Sequence, residues 1–366
     1  MAQGSLSSDF KALILNKTKL IDVRAPVEFD KGAFPNAVNL PFINDEERHL
    51  IGIRYKEAGN EKAVELGYEL VDGKKQQERT QSWLNFMSLN PDALLYCFRG
   101  GQRSGISQKW IEESGHDITR LEGGYKAFRN YLMHEIEESV HRFKPIVLGG
   151  RTGSGKTILL KKMNNTIDLE GLSNHRGSAF GKKTTEQPTQ INFENTLAYK
   201  LVEKLEQGFK HLVFEDEGSY IGTVHIPKTL ASYLLPAPRV ILQTSMQERI
   251  EITVEEYMID AQKTYEGEDA ILRWKEDFQA SIDRIKKRLG SEKHKEISTL
   301  FSTAFDKQMK DDSFDSYGGL VEYLLREYYD PMYDYQIDKN PEQVVFRGSQ
   351  EEVIQYLEQF SLNSLK

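Results

Sequence analysis

The chain contains one cysteine, Cys97, and its neighbours are the first residues whose types and spacing suggest chemistry. In Leu95-Tyr96-Cys97-Phe98-Arg99-Gly100-Gly101-Gln102-Arg103-Ser104 an apolar run ends at the thiol, and two glycines precede a helical pattern. Gly100 and Gly101 let backbone N–H groups turn toward a common point, and such a concavity at a helix N-terminus favours an anion. Arg99 and Arg103 add positive charge to the same loop, with Gln102 between them. A positive cradle favours the thiolate, the nucleophilic form of cysteine. The loop therefore suits reaction with a sulfur or selenium atom carried by an anionic donor. A lone cysteine is more often a small buried hydrophobe, so the flanking sequence has to decide.

A second constellation begins at Gly150. Gly150-Arg151-Thr152-Gly153-Ser154-Gly155-Lys156-Thr157 fits G-x-x-x-x-G-K-[ST], after the apolar strand Ile146–Leu148 and before a helical segment, the context this motif requires. Its N–H groups would cradle a di- or triphosphate, Lys156 would neutralise phosphate oxygens, and the Thr157 hydroxyl is placed for a magnesium ion. Downstream, an apolar strand ends in Glu215-Asp216-Glu217, where a P-loop fold keeps a metal-orienting carboxylate. These acids are candidates for metal ligand or base. Alternation along a strand puts Glu215 and Glu217 on one side and Asp216 on the other, and which of them acts stays open. Between the two lies His175-Arg176-Gly177-Ser178, whose polar side chains His175, Arg176 and Ser178 are candidates for a phosphate or base clamp. The densest basic run, Arg284-Ile285-Lys286-Lys287-Arg288, follows Tyr257, Tyr265 and Trp274 in a helical region. Cations beside aromatics suit RNA phosphates and unstacked bases. The same run would serve equally as a solvated helix face.

Elements must position these groups, and 366 residues are more than one core usually supports. Hydrophobic residues make up 39%, as in a globular protein. No apolar run reaches the roughly 18 residues of a membrane span. The start, MAQGSLSSDFKALIL, lacks the basic segment, apolar core and cleavage site of a leader, and is read as a cytoplasmic start. One cysteine excludes an internal disulfide and a thiolate-based zinc site. The net charge of −8 means that any RNA site must be a local basic surface.

The pattern predicts two α/β domains. The first, 1–144, has short strands at Leu20–Val23 and Ala93–Tyr96, a charged helical insertion at about 44–81, and a linking helix at about 125–143 with Phe128, Leu132, Ile136 and Val140 on one face. The second, 145–366, has strands at Pro145–Leu148, Leu212–Phe214 and Val240–Leu242 and a helix at Phe193–Gln207, then a helical extension broken by a strand at Val344–Arg347.

Two resemblances sharpen this reading. Ile21-Asp22-Val23-Arg24, Glu28-Phe29, Gly32, Pro35, Ala37 and Asn39-Leu40-Pro41, with Leu121-Glu122-Gly123-Gly124-Tyr125 after the cysteine loop, resemble the rhodanese pattern. Ala33-Phe34 departs from the His-Ile common in rhodaneses, at a position expected to affect packing only. The whole chain resembles the bacterial tRNA 2-selenouridine synthase family, in which a rhodanese-like domain precedes a P-loop NTPase-like domain with a helical C-terminal extension. The match is carried by the cysteine loop, the P-loop, Asp168-Leu169-Glu170-Gly171-Leu172, His175-Arg176-Gly177-Ser178-Ala179-Phe180-Gly181, Phe193-Glu194-Asn195, Glu215-Asp216-Glu217 and Tyr328-Tyr329-Asp330-Pro331-Met332-Tyr333.

That resemblance implies a substrate, tRNA with 2-thiouridine at the wobble position, and a selenium donor, selenophosphate. It also implies that geranyl diphosphate first alkylates the thiocarbonyl sulfur and that selenium then displaces geranylthiol. The P-loop would thus hold the diphosphate of a prenyl donor, and no tightly bound cofactor is implied. Where the family carries Ser-Arg after the acidic triplet, this chain has Gly218-Ser219, so Arg176 or Arg151 is expected to replace that arginine. The competing readings are a tRNA sulfurtransferase with an NTPase, and a non-catalytic RNA-binding module, which would need neither Cys97 nor Lys156-Thr157.

Overall fold

In the computed structural model, residues 5–363 are described. Residues 1–4, part of the stretch read as a cytoplasmic start, lie outside them. The chain divides into two compact units, one of residues up to Ser139 with Thr189–Gln207, the other of Val140–Pro188 with the residues from Gly208 onward.

The first unit is built on five parallel strands, β1 (Leu6–Ser7), β2 (Leu20–Asp22), β3 (Ala37–Asn39), β4 (Leu94–Tyr96) and β5 (Thr119–Leu121), in the order β1-β5-β4-β2-β3. Strands β2 and β4 are buried throughout, which is why they read as short continuous apolar runs. The insertion is helical, as expected. Asp45–Leu70 follows an Asn44 cap that accepts from the Glu47 N–H, and Gly73–Leu89 comes after it. Gly59 interrupts the first of these with φ 81° and ψ −177°, a left-handed φ that glycine adopts without strain. Helix Gly124–Ser139 buries Phe128, Leu132 and Ile136 of the predicted face but ends before Val140, the fourth residue expected on it.

Helix Gln190–Glu206 lies with this first unit, although it follows the P-loop in sequence. Arg129 donates to Asn195 Oδ1 at 2.6 Å and pairs with Glu194, Ala33 N–H donates to Asn192 Oδ1 at 2.7 Å, and Tyr199 packs on Phe128. A side chain on Gly32 would meet Ile191 Cγ2 at 2.3 Å. The chain therefore crosses between units and back, a path that a linear boundary at 144/145 does not contain. Periodicity shows that this helix has an apolar face but not which partner covers it.

The second unit contains β6 (Lys144–Gly150), β7 (Thr166–Ile167), β8 (His211–Glu215), the antiparallel hairpin β9 (Tyr220–Ile221) and β10 (Val224–His225), then β11 (Arg239–Leu242) and β12 (Val344–Gly348). Its parallel sheet has the order β12-β11-β6-β8-β7. The P-loop strand β6 thus lies between β8 and β11, and ligands of open parallel sheets bind beyond the carboxyl ends of the strands. The helical extension has its own core, in which Trp274, Phe278, Phe301, Phe305 and Tyr317 pack together. Two segments wind as π-helices, Glu255–Ile259 and Leu325–Tyr329. No helix among the described residues is long and apolar enough to cross a membrane.

Candidate functional site: a thiol cradle and a P-loop cavity

Cys97 directly follows β4 and is buried, with its Sγ 3.2 Å from the Ser104 hydroxyl. The loop after it closes against Gly123-Gly124. The Tyr125 N–H donates to the Cys97 carbonyl at 2.9 Å and the Lys126 N–H to the Phe98 carbonyl at 3.0 Å. Gly124 has φ 61°, and a Cβ there would lie 2.3 Å from the Cys97 oxygen and 2.4 Å from the Gly100 nitrogen. That close approach explains why the turn is glycine-rich. Gly100, at φ 66°, is itself left-handed. Gly101 and Gln102 open helix Gln102–Glu113. Below the loop, Asp22 and Arg24 form a buried ion pair at 2.6 Å, and the Arg24 guanidinium stacks 3.8 Å from the Tyr125 ring centre.

The two arginines of the cradle separate in role. Arg99 is exposed, over the Phe98 ring. Arg103 is held by Glu28, with contacts of 2.6 and 3.2 Å, so its charge is largely compensated rather than free for an anion. Burial raises the Glu28 carboxyl, but Arg103 outweighs it and leaves Glu28 below its usual range. Sequence reasoning missed Arg120, which donates to the Gly100 carbonyl at 3.1 Å and to Gln108 Oε1 at 2.7 Å. An isolated arginine inside a short strand carries no local signal for such a brace.

In the second unit the P-loop opens onto a cavity of about 670 Å³. Gly153 and Gly155 have φ of 77° and 83°, and a side chain on Gly153 would meet Thr253 Oγ1 at 2.4 Å. Lys156 Nζ donates to the Gly150 carbonyl at 2.8 Å. Gly150, Thr152, Gly153, Ser154, Lys156 and Thr157 all border the cavity. Arg151 does not: it pairs with Asp334 at 2.8 Å and with Asp330 at 3.7 Å, because the helix Asp330–Asp338 presents two carboxylates to it. Of the two arginines expected to compensate for Gly218-Ser219, Arg176 borders the cavity and Arg151 is instead paired with Asp334.

His175, Arg176 and Ser178 all border the cavity. His175 Nδ1 accepts the Gly177 N–H at 3.1 Å, and burial followed by Lys183 lowers its pKa, which keeps it neutral at pH 7. Arg176 lies over the Tyr257 ring at 5.0 Å, and Ser178 is hydrogen-bonded to the Tyr257 hydroxyl at 3.1 Å.

The acidic triplet divides. Glu215 is buried at the end of β8 and accepts the Glu170 N–H at 2.8 Å, and Glu217 shares a hydrogen bond with the Glu170 side chain. Burial, followed by the neighbouring Glu170 carboxyl, pushes Glu215 up to about 8 and Glu217 up to about 9. Asp216 points elsewhere, 3.6 Å from Arg239, and burial raises it despite that partner. Asp216 and Glu217 border the cavity. At neutral pH Glu217 therefore holds a proton, shared with Glu170, beside a phosphate cradle where a second carboxylate charge would repel the ligand. Among the described residues no group of three or more His, Cys, Asp or Glu side chains is arranged to hold a metal ion.

The basic run also divides. Arg288 borders the cavity and approaches Met332 Sδ at 3.8 Å, and Arg284 donates to the Ala179 carbonyl at 3.1 Å. Lys286 and Lys287 are exposed on helix Ala270–Leu289. The lining of the cavity is also aromatic in part. Tyr257 from one π-helical turn and Tyr328 and Tyr329 from the other border the cavity with Met332 and Tyr333. A π turn inserts a residue into the helical register and re-aims its side chains, an event with no signature in periodicity. Sequence reading also missed Arg249, which is buried, donates to both oxygens of Asp330 and braces the Thr152 carbonyl at 2.9 Å.

Comparison with known proteins agrees with both halves. Residues 7–131 match the model of the rhodanese-like domain, and residues 143–363 match that of the tRNA 2-selenouridine synthase AAA domain. A protein of Sulfurovum sp. (strain NBC37-1) named tRNA 2-selenouridine synthase is 56% identical, over 97% of this chain and 98% of its own. Proteins of the same name from Hydrogenovibrio crunogenus and Pseudomonas syringae pv. syringae are 47% and 43% identical, each over 97% of this chain and 99% and 98% of their own. With a thiol cradle on one α/β unit, a P-loop cavity on the other, and relatives matching along nearly the whole length, the chain belongs to the tRNA 2-selenouridine synthase family.

Proposed function

We propose that this protein is a cytoplasmic transferase that converts wobble 2-thiouridine of tRNA into 2-selenouridine, in two steps joined by an S-geranyl-2-thiouridine intermediate. The observation that carries the reading is the make-up of the P-loop cavity, where a phosphate cradle at Lys156 shares one cavity with a wall of Tyr257, Tyr328, Tyr329, Met332 and Tyr333. A nucleotide or a prenyl diphosphate would satisfy the cradle, and an apolar chain on the diphosphate also satisfies the wall.

In the first step the thiocarbonyl sulfur bonds to C1 of geranyl diphosphate, the C1–O bond breaks, and diphosphate leaves on Lys156 and the P-loop N–H groups. S-alkylation removes the N3 proton of the base. The departing diphosphate accepts it. In the second step the selenium of selenophosphate, received at Cys97, bonds to C2. The C2–S bond breaks and geranylthiol leaves with a proton, a better departure than that of a bare thiocarbonyl sulfur. Water then releases the phosphorus as phosphate.

Mass spectrometry of tRNA nucleosides tests this. Purified protein with geranyl diphosphate alone should yield S-geranyl-2-thiouridine, and later addition of selenophosphate should convert it to 2-selenouridine. Selenouridine formed at full rate without any prenyl donor would reject the intermediate. ATP hydrolysis with no tRNA product would favour the sulfurtransferase–NTPase alternative.

A further inference from the structure

The first unit contains a second large cavity, of about 620 Å³, that Cys97 itself does not border. Its size falls within the roughly 300–1,000 Å³ of small-ligand pockets. The floor is apolar: Phe42 and Ile43 are buried, Ala63 and Val64 come from the insertion after the Gly59 break, and Ile106 comes from the helix that follows the cysteine loop. The insertion adds Ile53 and Tyr55, exposed by 41% and 58%. Exposed apolar residues scattered singly need no explanation, but grouped around one cavity they mark a binding site. The rim carries Arg48, Lys56 and Arg103 against one carboxylate, Glu28, which bonds both arginines. Gln102 and Arg103, which border this cavity, also belong to the loop sequence that starts at Cys97.

We infer that this cavity binds the prenyl chain of S-prenylated tRNA while the uridine is presented to Cys97, with RNA backbone phosphate on the cationic rim. The inference rests on the two-step reading proposed above. An apolar floor under a net-positive rim, in a chain of net charge −8, complements a ligand that joins a hydrocarbon chain to a polyanion. The second step also requires such a place. Its substrate carries a ten-carbon chain that has to be kept from water at the thiol, and this apolar cavity is bordered by Gln102 and Arg103 of the cysteine loop.

The probes are an anticodon stem-loop RNA carrying S-geranyl-2-thiouridine and the same RNA carrying 2-thiouridine, each titrated against the full chain. The wild-type protein should bind the geranylated RNA at least about tenfold more tightly. Val64→Trp, which fills the cavity, should remove most of that preference and raise the KM for selenation of geranylated RNA, with geranylation of the thio-RNA unchanged. Tyr55→Ser, at a position too exposed to endanger folding, should reduce the preference in the same direction. Equal affinities of the wild-type protein for the two RNAs, or a preference retained in both variants, overturns the inference. Failure of the wild-type protein to selenate geranylated RNA that it does bind selectively would instead overturn the two-step reading.

Discussion

Arg249 grips Asp330 with both terminal nitrogens, at 3.0 and 2.6 Å, and with its Nε it holds the carbonyl of Thr152 in the P-loop. One buried cation thus links the phosphate loop to the start of helix Asp330–Asp338, next to the π turn that supplies Tyr328 and Tyr329. Asp330→Ala leaves Arg249 buried without its carboxylate, a change that costs about 3–5 kcal/mol. The expected result is a lower thermal midpoint for the second unit and weaker geranyl diphosphate binding, read together by calorimetry. Diphosphate affinity unchanged in a destabilised variant would confine the pair to a structural role.

Cys97→Ala should abolish selenium incorporation and leave prenyl transfer intact. The thiol and the P-loop lie on different units, and Cys97 is the only thiol in the chain. S-geranyl-2-thiouridine should accumulate in the tRNA and be visible by nucleoside mass spectrometry. A normal selenouridine yield from the variant would remove Cys97 from the mechanism.

Lys156→Ala removes the cation of the diphosphate cradle and its bond to the Gly150 carbonyl. Charge-assisted hydrogen bonds contribute about 1.5–3 kcal/mol each, so geranyl diphosphate affinity should fall by about ten- to a hundredfold. Supplying pre-geranylated tRNA should restore selenation. Geranylation at the wild-type rate would mean that the P-loop serves another ligand.

The carboxyl cluster makes a pH prediction. Glu217 is held near 9 and Glu215 near 8, against 4.5 for a free glutamate. A folded-state value above the unfolded one gives stability that is complete below pH of about 4.5 and is lost as pH rises through 8–9. Glu217→Gln should therefore raise the thermal midpoint at pH 9 and have little effect near pH 4.5. A midpoint difference independent of pH would show that the cluster does not hold protons in the folded state.

Lys286 and Lys287 are exposed, whereas Arg288 borders the P-loop cavity. The double change to alanine at the two lysines should weaken tRNA binding and make the plot of log affinity against log salt shallower by about 0.7 for each lost phosphate contact. Geranyl diphosphate affinity should stay the same. In Arg288→Ala, binding of both ligands should weaken. An unaltered salt slope in the double variant would identify the lysines as a solvated face.

The sequence by itself determined the chemistry-bearing loops and the layered α/β class. Cys97 with Gly100-Gly101, and Gly150 through Thr157, are local signals: each cradle is built from consecutive backbone groups, so its geometry is encoded where the residues are adjacent. The strands around them read correctly because burial on both faces leaves continuous apolar runs. Only the tertiary structure decided what crosses long sequence distances. Helix Gln190–Glu206 belongs with the first unit, Arg103 is compensated by Glu28 75 residues away, and Arg151 turns to Asp334. The triplet Glu215-Asp216-Glu217 separates because Glu170 draws two of its members and Arg239 the third. Electrostatic pairing and helix docking select partners by distance in space, and a linear pattern records which residues need a partner without recording which one the fold brings near.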